Sequence, residues 1–491
     1  MFETIKSFFR KVGEKMGLIK NIKALSDIKS IPVDDQFYQL IDQWKAIYQG
    51  YFSEFHDVKY MTINGQKKRR RATLNMPKVL SQEMATIIFN ERCEINISDE
   101  GLSGNIESVL DDNHFTKKFQ DYLEFQFALG GMVVKPYFDA DKIKLSFVTA
   151  DCFVPMSWDN KGINESVFLN QIRKRDKRYT HLEFHIWENK TYVIKNELYE
   201  SQNDADLGVK VPLSTLFPDV EEEVRIEGFK RASFVYFKPN LANNIDMSSP
   251  LGIPLFANSL DTLKTIDIAF DSFQREFALG KKRILVPQSA VRTVVDPMTG
   301  QLTRYFDADD EVYEAMNFEM DSDAIKDISV ELRVEEHIAA INAMLNLLSM
   351  QTGFSSGSFS FDGKSVKTAT EVVSENSKTF RTKQSHENVI EAGITELIEV
   401  IVQLAELYGV FDRPADEWKV TVTFDDSIAE DQGAEITKQI QLVSNGLTTK
   451  KKAIMRVHGF TEEEAELTLR EIREEQATAL AESVDFFGVN K

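Results

Sequence analysis

The sequence predicts an α+β fold built from several separate parts, and three patterns carry that prediction. Apolar and polar residues alternate from Met132 to Tyr199, the period of strands with two different faces. Two later segments, 256–280 and 330–350, place apolar residues at steps of three and four, the period of helices packed along one seam. Between them lies a β-branched-rich insert bounded by turn residues. At 491 residues the chain exceeds the usual single-domain range, and with 42% hydrophobic residues it can fill real cores.

The first thirty residues set Phe2, Ile5, Phe8, Phe9, Val12, Met16 and Ile19 among lysines and arginines, a basic amphipathic segment. It suits a membrane surface or, as the preferred reading, a terminal arm packing on a neighbour; Gly13 and Gly17 weaken both. Residues 34–56 and 76–92 read as helices. Between them stands Lys67-Lys68-Arg69-Arg70-Arg71, whose five cations could meet nucleic acid. The plainer reading is a solvated loop, or an inter-subunit salt-bridge site in an acidic protein.

From Met132 the pattern turns to strands. Met132–Phe138 and Ile143–Val148 flank the turn Asp139–Lys142, and Ser166–Lys174, His181–Glu188 and Thr191–Tyr199 continue an antiparallel meander as one scaffold sheet. Period two puts His181, Glu183 and His185 on one face. A metal there is disfavoured without a further ligand, because exposed sheet faces commonly carry polar residues. Asp204–Glu227 is acidic and turn-rich, and Ala232–Phe237 returns to strand.

Ser249-Pro250 and Pro254 announce the first seam helix, whose stripe is Phe256, Leu260, Leu263, Ile266, Phe270, Phe273 and Phe277, closed by Gly280. The second stripe is Val334, Ile338, Ile341, Leu345 and Leu348, stopped by Gly353. In the insert, Arg283–Pro287 and Val291–Val295 read as strands, Asp296–Gly300 as a turn and Leu302–Phe306 as the returning strand. A helix thus leaves a body, a small β module forms at its tip, and a helix comes back. The loop 353–364 that follows is rich in glycine and serine yet holds Phe354, Phe359 and Phe361. Helical spacing resumes at Val366 and runs to Tyr408, and the polar run Arg381–Asn388 predicts a helix exposed at its middle. Trp418–Phe424 reads as a strand rejoining the earlier sheet. From Ala429 short helices follow, separated at Asn445-Gly446 and His458-Gly459, with Thr461 and three glutamates suiting a last helix start.

Several function classes are disfavoured. Two cysteines, Cys93 and Cys152, make no disulfide framework, and with no cleavable signal evident a reducing cytoplasm is the expected place of synthesis. No phosphate loop and no nucleophile elbow appear. Asp309-Asp310-Glu311 and Asp425-Asp426 could serve two-metal chemistry only if folding brought them together. The uncharged run 338–361 is interrupted by Asn342, Asn346, Ser349 and Gln351 before it could span a bilayer. A net charge of −20 is opposite to that of proteins that wrap DNA.

Gly353-Phe354-Ser355-Ser356-Gly357, Phe359–Gly363 and Lys367-Thr368-Ala369-Thr370-Glu371-Val372 resemble the portal proteins of tailed bacteriophages, closest to those of siphophages, also labelled phage minor capsid proteins. The resemblance extends to Leu123–Gly131, to Lys135-Pro136-Tyr137, to Ala150-Asp151 with Pro155, and to the 254–287 helix ending in Lys281-Lys282-Arg283-Ile284-Leu285-Val286-Pro287. It implies a portal fold: N-terminal arm and mixed α/β wing over 1–255, helical stem over 256–280 and 330–352, and β-containing clip over 281–329. A tunnel loop over 353–364, a long helix returning to the wing over 365–428 and a helical crown over 429–491 complete it. The stem stripes would pack between subunits of a ring, commonly of twelve. Phe354, Phe359, Phe361, Lys364 and Lys367 would stand near the DNA path, with the phenylalanines alternatively packing on adjacent loops. Lys281, Lys282 and Arg283 would form a basic cluster where stem meets clip. Arg292, Arg304, Asp309, Asp310 and Glu311 would serve clip docking.

The implied role is a conduit at one capsid vertex of the virion through which double-stranded DNA is packaged and ejected. Implied partners are the terminase large subunit, a head-completion adaptor, and the major capsid and scaffolding proteins. Neither enzyme activity, cofactor, metal nor membrane is implied. Acidic walls would repel phosphates and keep the passage slippery. The readings from other classes are a phage DNA-processing enzyme and a tail or baseplate component.

Overall fold

The computed structural model describes residues 31, 34–62, 65–202, 206–280, 331–361, 369–424, 432–458, 465–470 and 472, with five short strands between 284 and 327. It divides into two compact units. The first holds residues up to Val366 and Ser377–Phe424; the second holds Lys367–Asn376 and residues from Asp425 onward.

The first unit begins with helices. α1 (Asp35–Tyr48) starts where the Asp34 carboxylate accepts the N–H groups of Gln36 and Phe37. A single-turn α2 (Ser53–His56) leads into the hairpin β1 (Asp57–Thr62) and β2 (Gly65–Arg70), paired from Asp57 opposite Arg70. The basic run is therefore largely a strand, not a solvated loop. Then follow α3 (Met76–Ile88), β3 (Glu94–Ile97), α4 (Glu100–Asp112) and α5 (Phe115–Leu129). Gly130 ends α5 at φ +88°, and a Cβ there would lie 2.4 Å from the carbonyl oxygen of Gly252, so a side chain is excluded twice over.

The expected single meander is two sheets. β4 (Met132–Asp139) and β5 (Lys142–Thr149) form a hairpin across Ala140 and Asp141, both at positive φ. A 3₁₀ turn at Ala150–Cys152 then redirects the chain into β6 (Phe153–Trp158), β7 (Ile163–Lys174), β8 (Lys177–Glu188) and β9 (Thr191–Ser201). β10 (Val209–Val211) and β11 (Glu223–Ile226) both pair with β9, and β12 (Val235–Phe237) joins β4 instead, giving the separate order β12-β4-β5. The ring of Phe119 in α5 lies 4.8, 4.9 and 5.4 Å from those of Phe89, Phe115 and Phe237, tying helices to the smaller sheet.

His181, Glu183 and His185 do share a face of β8, but that face is buried rather than exposed. Lys135 Nζ from β4 lies 2.6 Å from both Glu183 oxygens, His185 Nε2 lies 2.8 Å from Glu183, and His185 Nδ1 is 2.7 Å from the Tyr192 hydroxyl. Beside it, His181 Nε2 meets Asn196 Oδ1 at 2.8 Å. The Lys135 ammonium holds the Glu183 carboxyl below the usual range despite burial, while burial holds both imidazoles below theirs. The trio is thus an ion-paired core network, with each histidine already hydrogen-bonded.

Two long helices leave and return: α6 (Leu260–Leu279), preceded by a 3₁₀ turn at Ala257–Ser259, and α7 (Val334–Thr352). Between them the described strands are β13 (Ile284–Val286), β14 (Val294–Val295), β15 (Leu302–Thr303), β16 (Tyr313–Ala315) and β17 (Lys326–Asp327). β14 and β15 pair antiparallel across 296–301, as the turn signal predicts, and β13 sits between β16 and β17.

α8 (Ala369–Tyr408) is 40 residues, roughly 60 Å at 1.5 Å per residue. Its polar run is not exposed throughout. Lys383, His386 and Glu387 are buried in line with Ile390, and Lys383 Nζ lies 2.8 Å from Glu387. Spacings of three and four continue the buried face through the run, with an ion pair and an uncharged imidazole in place of apolar side chains; burial lowers the His386 pKa to about 4. β18 (Val420–Thr423) pairs with β3, not with the sheets that precede it. In the second unit, α9 (Gln432–Ser444), α10 (Lys450–His458) and the turn at 465–470 are helical. Thr461 and its glutamates lie outside the described residues, as does the basic segment 1–30.

Candidate functional site

α6 and α7 form an antiparallel hairpin. Arg333 at the foot of α7 donates to Glu276 of α6 at 2.8 Å, and the rings of Phe273 and His337 lie 5.9 Å apart. Arg333 holds the Glu276 carboxyl down at about 2. On the inner side Leu263, Ile266, Ile341, Leu345 and Leu348 are buried, and Phe256 anchors the preceding turn. Leu260, Phe270, Phe273 and Ile338 are half-buried, and Phe277 is 45% exposed. The apolar stripe therefore starts in the core and ends in solvent.

The arm before α3 is clamped to α6 by two carboxylates one turn apart. Asp271 accepts from both terminal guanidinium nitrogens of Arg69, at 2.7 and 2.6 Å, and from the N–H of Ala72. Asp267 accepts the Leu74 N–H and faces His56 Nε2 at 3.2 Å. The Arg69 guanidinium holds the Asp271 carboxyl below the usual range, whereas burial pushes Asp267 up.

The loop after α7 is strapped to the hairpin. Gly353 caps α7 at φ +87°, and a Cβ there would lie 2.7 Å from Thr382 Cγ2 of α8. Asn346 Oδ1 accepts the Gly357 N–H at 2.8 Å, and Asn342 Oδ1 accepts the Phe361 N–H at 2.7 Å. Ser355 exchanges hydrogen bonds with Thr379 on α8. Phe354 is buried with its ring 5.0 Å from that of Phe359, while Phe361 packs edge-on to Phe273 at 5.4 Å and lies 6.1 Å from Phe270. All three rings turn to their own chain.

A family model described as phage portal protein, SPP1 Gp6-like, matches residues 28–478. The chain belongs to the phage portal protein family. No curated protein matches it. The family is structural rather than enzymatic, and a mixed helix-and-sheet architecture agrees with the α+β portal fold.

In this portal-family chain, Lys364 and Lys367 of the loop, Lys281, Lys282 and Arg283, and Arg292, Arg304, Asp309, Asp310 and Glu311 lie outside the described residues. Among the described residues no group of three or more His, Cys, Asp or Glu side chains could hold a metal ion, and no helix is long and apolar enough to cross a membrane. In the sequence Asn342 and Asn346 stand out only as breaks in an apolar run. Their spacing of four, on a helix followed by a glycine-serine loop, was the available signal for a ladder that ties down loop N–H groups. Asp267 and Asp271, also four apart, carried the same signal for the arm.

Proposed function

We propose that the chain is the subunit of a closed ring at one vertex of a phage capsid, conducting double-stranded DNA inward during packaging and outward at ejection. The observation that carries this reading is the α6–α7 hairpin with β strands at its tip, in a chain whose family is that of phage portals. Rings of twelve follow from the resemblance. In this reading α6 and α7 are the stem, strands β13–β17 belong to the clip, the six-stranded sheet and the β12-β4-β5 sheet belong to the wing, and the second unit holds the crown.

The work is mechanical. With no phosphate loop in the sequence, DNA movement draws on a partner motor, the terminase large subunit, docked at the clip and later replaced by a head-completion adaptor. The wing meets capsid shell and scaffold. The net charge of −20 supports a passage that does not hold phosphates, and added positive charge in the channel should slow packaging. Phe361 serves to hold the loop on its own stem, and Phe354 and Phe359 pack on each other, which leaves Lys364 and Lys367 as the loop's candidates for the DNA path.

Negative-stain imaging of the purified full chain tests the proposal. Closed rings with a central hole are expected. Monomers with metal-dependent DNA cleavage would replace it with an enzyme, and rods or sheaths with a tail component.

A further inference from the structure

Beside the Arg69–Asp271 clamp lies a groove of about 580 Å³ between the end of β2 and α6. Arg70, Arg71 and Arg275 line it over Phe270, Gln274 and Ala278. Asp271 is the acid among its lining residues, and Arg69 already occupies that carboxylate. Arg70 donates to the Gly50 carbonyl and lies 5.4 Å over the Tyr51 ring, and Arg71 donates to the Phe55 carbonyl, so two of the cations are held in place. Neither these two nor Arg275 is ion-paired with a described residue. In a chain of net charge −20, this is a pre-organised basic recess in which Asp271, already taken by Arg69 and also felt by Arg275, is the acid among the described lining residues.

The same helix also shows Ile268, Phe277 and Leu279, at 42, 45 and 58% exposure. Duplex DNA would neutralise the arginines but leave those side chains in water; a protein surface bearing carboxylates answers both. Such a surface exists on this chain. The first turn of α7 carries Glu335 and Glu336, both exposed and neither ion-paired with a described residue, followed by exposed Ala339, Ala340 and Ala343. The Glu276–Arg333 and Phe273–His337 contacts put that turn level with Arg275 along the hairpin. In a ring each contact joins two different patches of the chain, and hairpins standing along the axis bring patches of equal level together.

We infer that the arginine groove of one subunit takes the acidic first turn of α7 from the next copy, Arg275 meeting Glu335 and Glu336. This deepens the ring reading and rests on it. The test uses the full chain, beginning with wild type: absence of rings there would remove the ring reading itself and this inference with it. Given wild-type rings, Arg275→Glu should leave monomers with an unchanged thermal melt, and adding Glu335→Arg with Glu336→Arg should restore rings. Independently, Arg275→Cys with Glu336→Cys should give a ladder of disulfide-linked multimers under oxidation. Normal rings from Arg275→Glu together with no ladder would overturn the inference while leaving the ring intact. So would Arg275→Glu rings that assemble normally but bind a duplex oligonucleotide about tenfold more weakly, because the groove would then face DNA.

Discussion

The large sheet and the α6–α7 hairpin dispose of charge and apolar surface in opposite ways. In the sheet, the Glu183 carboxylate is met by Lys135 and His185 from the same chain, under Phe168, whose ring lies 4.8 Å from the ammonium. In the hairpin, Arg275, Glu335 and Glu336 reach solvent, and so do Phe277 and Leu279. A region whose charges are buried must answer them internally, since leaving one unpaired costs several kcal/mol. A region that leaves both charge and apolar area uncovered is built to be finished by something else. On this account the sheet is a self-sufficient scaffold and the hairpin is half of an interface.

The strongest way to break that comparison is at the buried ion pair between the large sheet and β4. Lys135→Met strands the Glu183 charge and should cost about 3–5 kcal/mol in denaturant unfolding, and adding Glu183→Met should recover much of the loss. Next in size, Gly353→Ala places a Cβ at positive φ against Thr382 and should cost about 1–3 kcal/mol in the same assay. Asn342→Ala with Asn346→Ala should cost about 1 kcal/mol per lost bond and expose residues 353–361 to limited proteolysis, leaving the sheet untouched.

The smallest effect concerns Asp42, whose pKa is raised to about 6 by burial, with Asp151 adding to the shift and Lys45 opposing it. A carboxyl with a raised folded pKa penalises the native state once it ionises. The penalty grows as pH rises from about 4 to about 6 and is complete above that. Asp42→Asn should therefore gain about 1 kcal/mol at pH 7.5, discounted for partial exposure, and gain nothing near pH 3.5. Equal gains at both pH values would show that charge is not the cause.

The sequence made the helices and most strands legible because their periods are local. Phe256 to Phe277 and Val334 to Leu348 show their faces directly, and the sequence of Asp296–Gly300 carries a turn signal between the paired strands β14 and β15. What escaped depends on partners far along the chain. β18 finds β3 more than three hundred residues back, and β12 takes an edge of β4 in a sheet separate from β6–β9. Lys383, His386 and Glu387 read as solvated because polar residues usually are; a buried ion pair and a neutral histidine let the core pass through them. The loop phenylalanines were visible as an oddity, but the packing of Phe361 on Phe270 and Phe273, and of Phe354 on Phe359, is a tertiary fact.

Hydrogen–deuterium exchange on unassembled and assembled protein tests the central claim most directly. The account predicts that amides of 260–279 and 334–352 gain protection on assembly while those of 163–201 exchange equally slowly in both states. Protection gained chiefly in the sheet, with the hairpin unchanged, would contradict it.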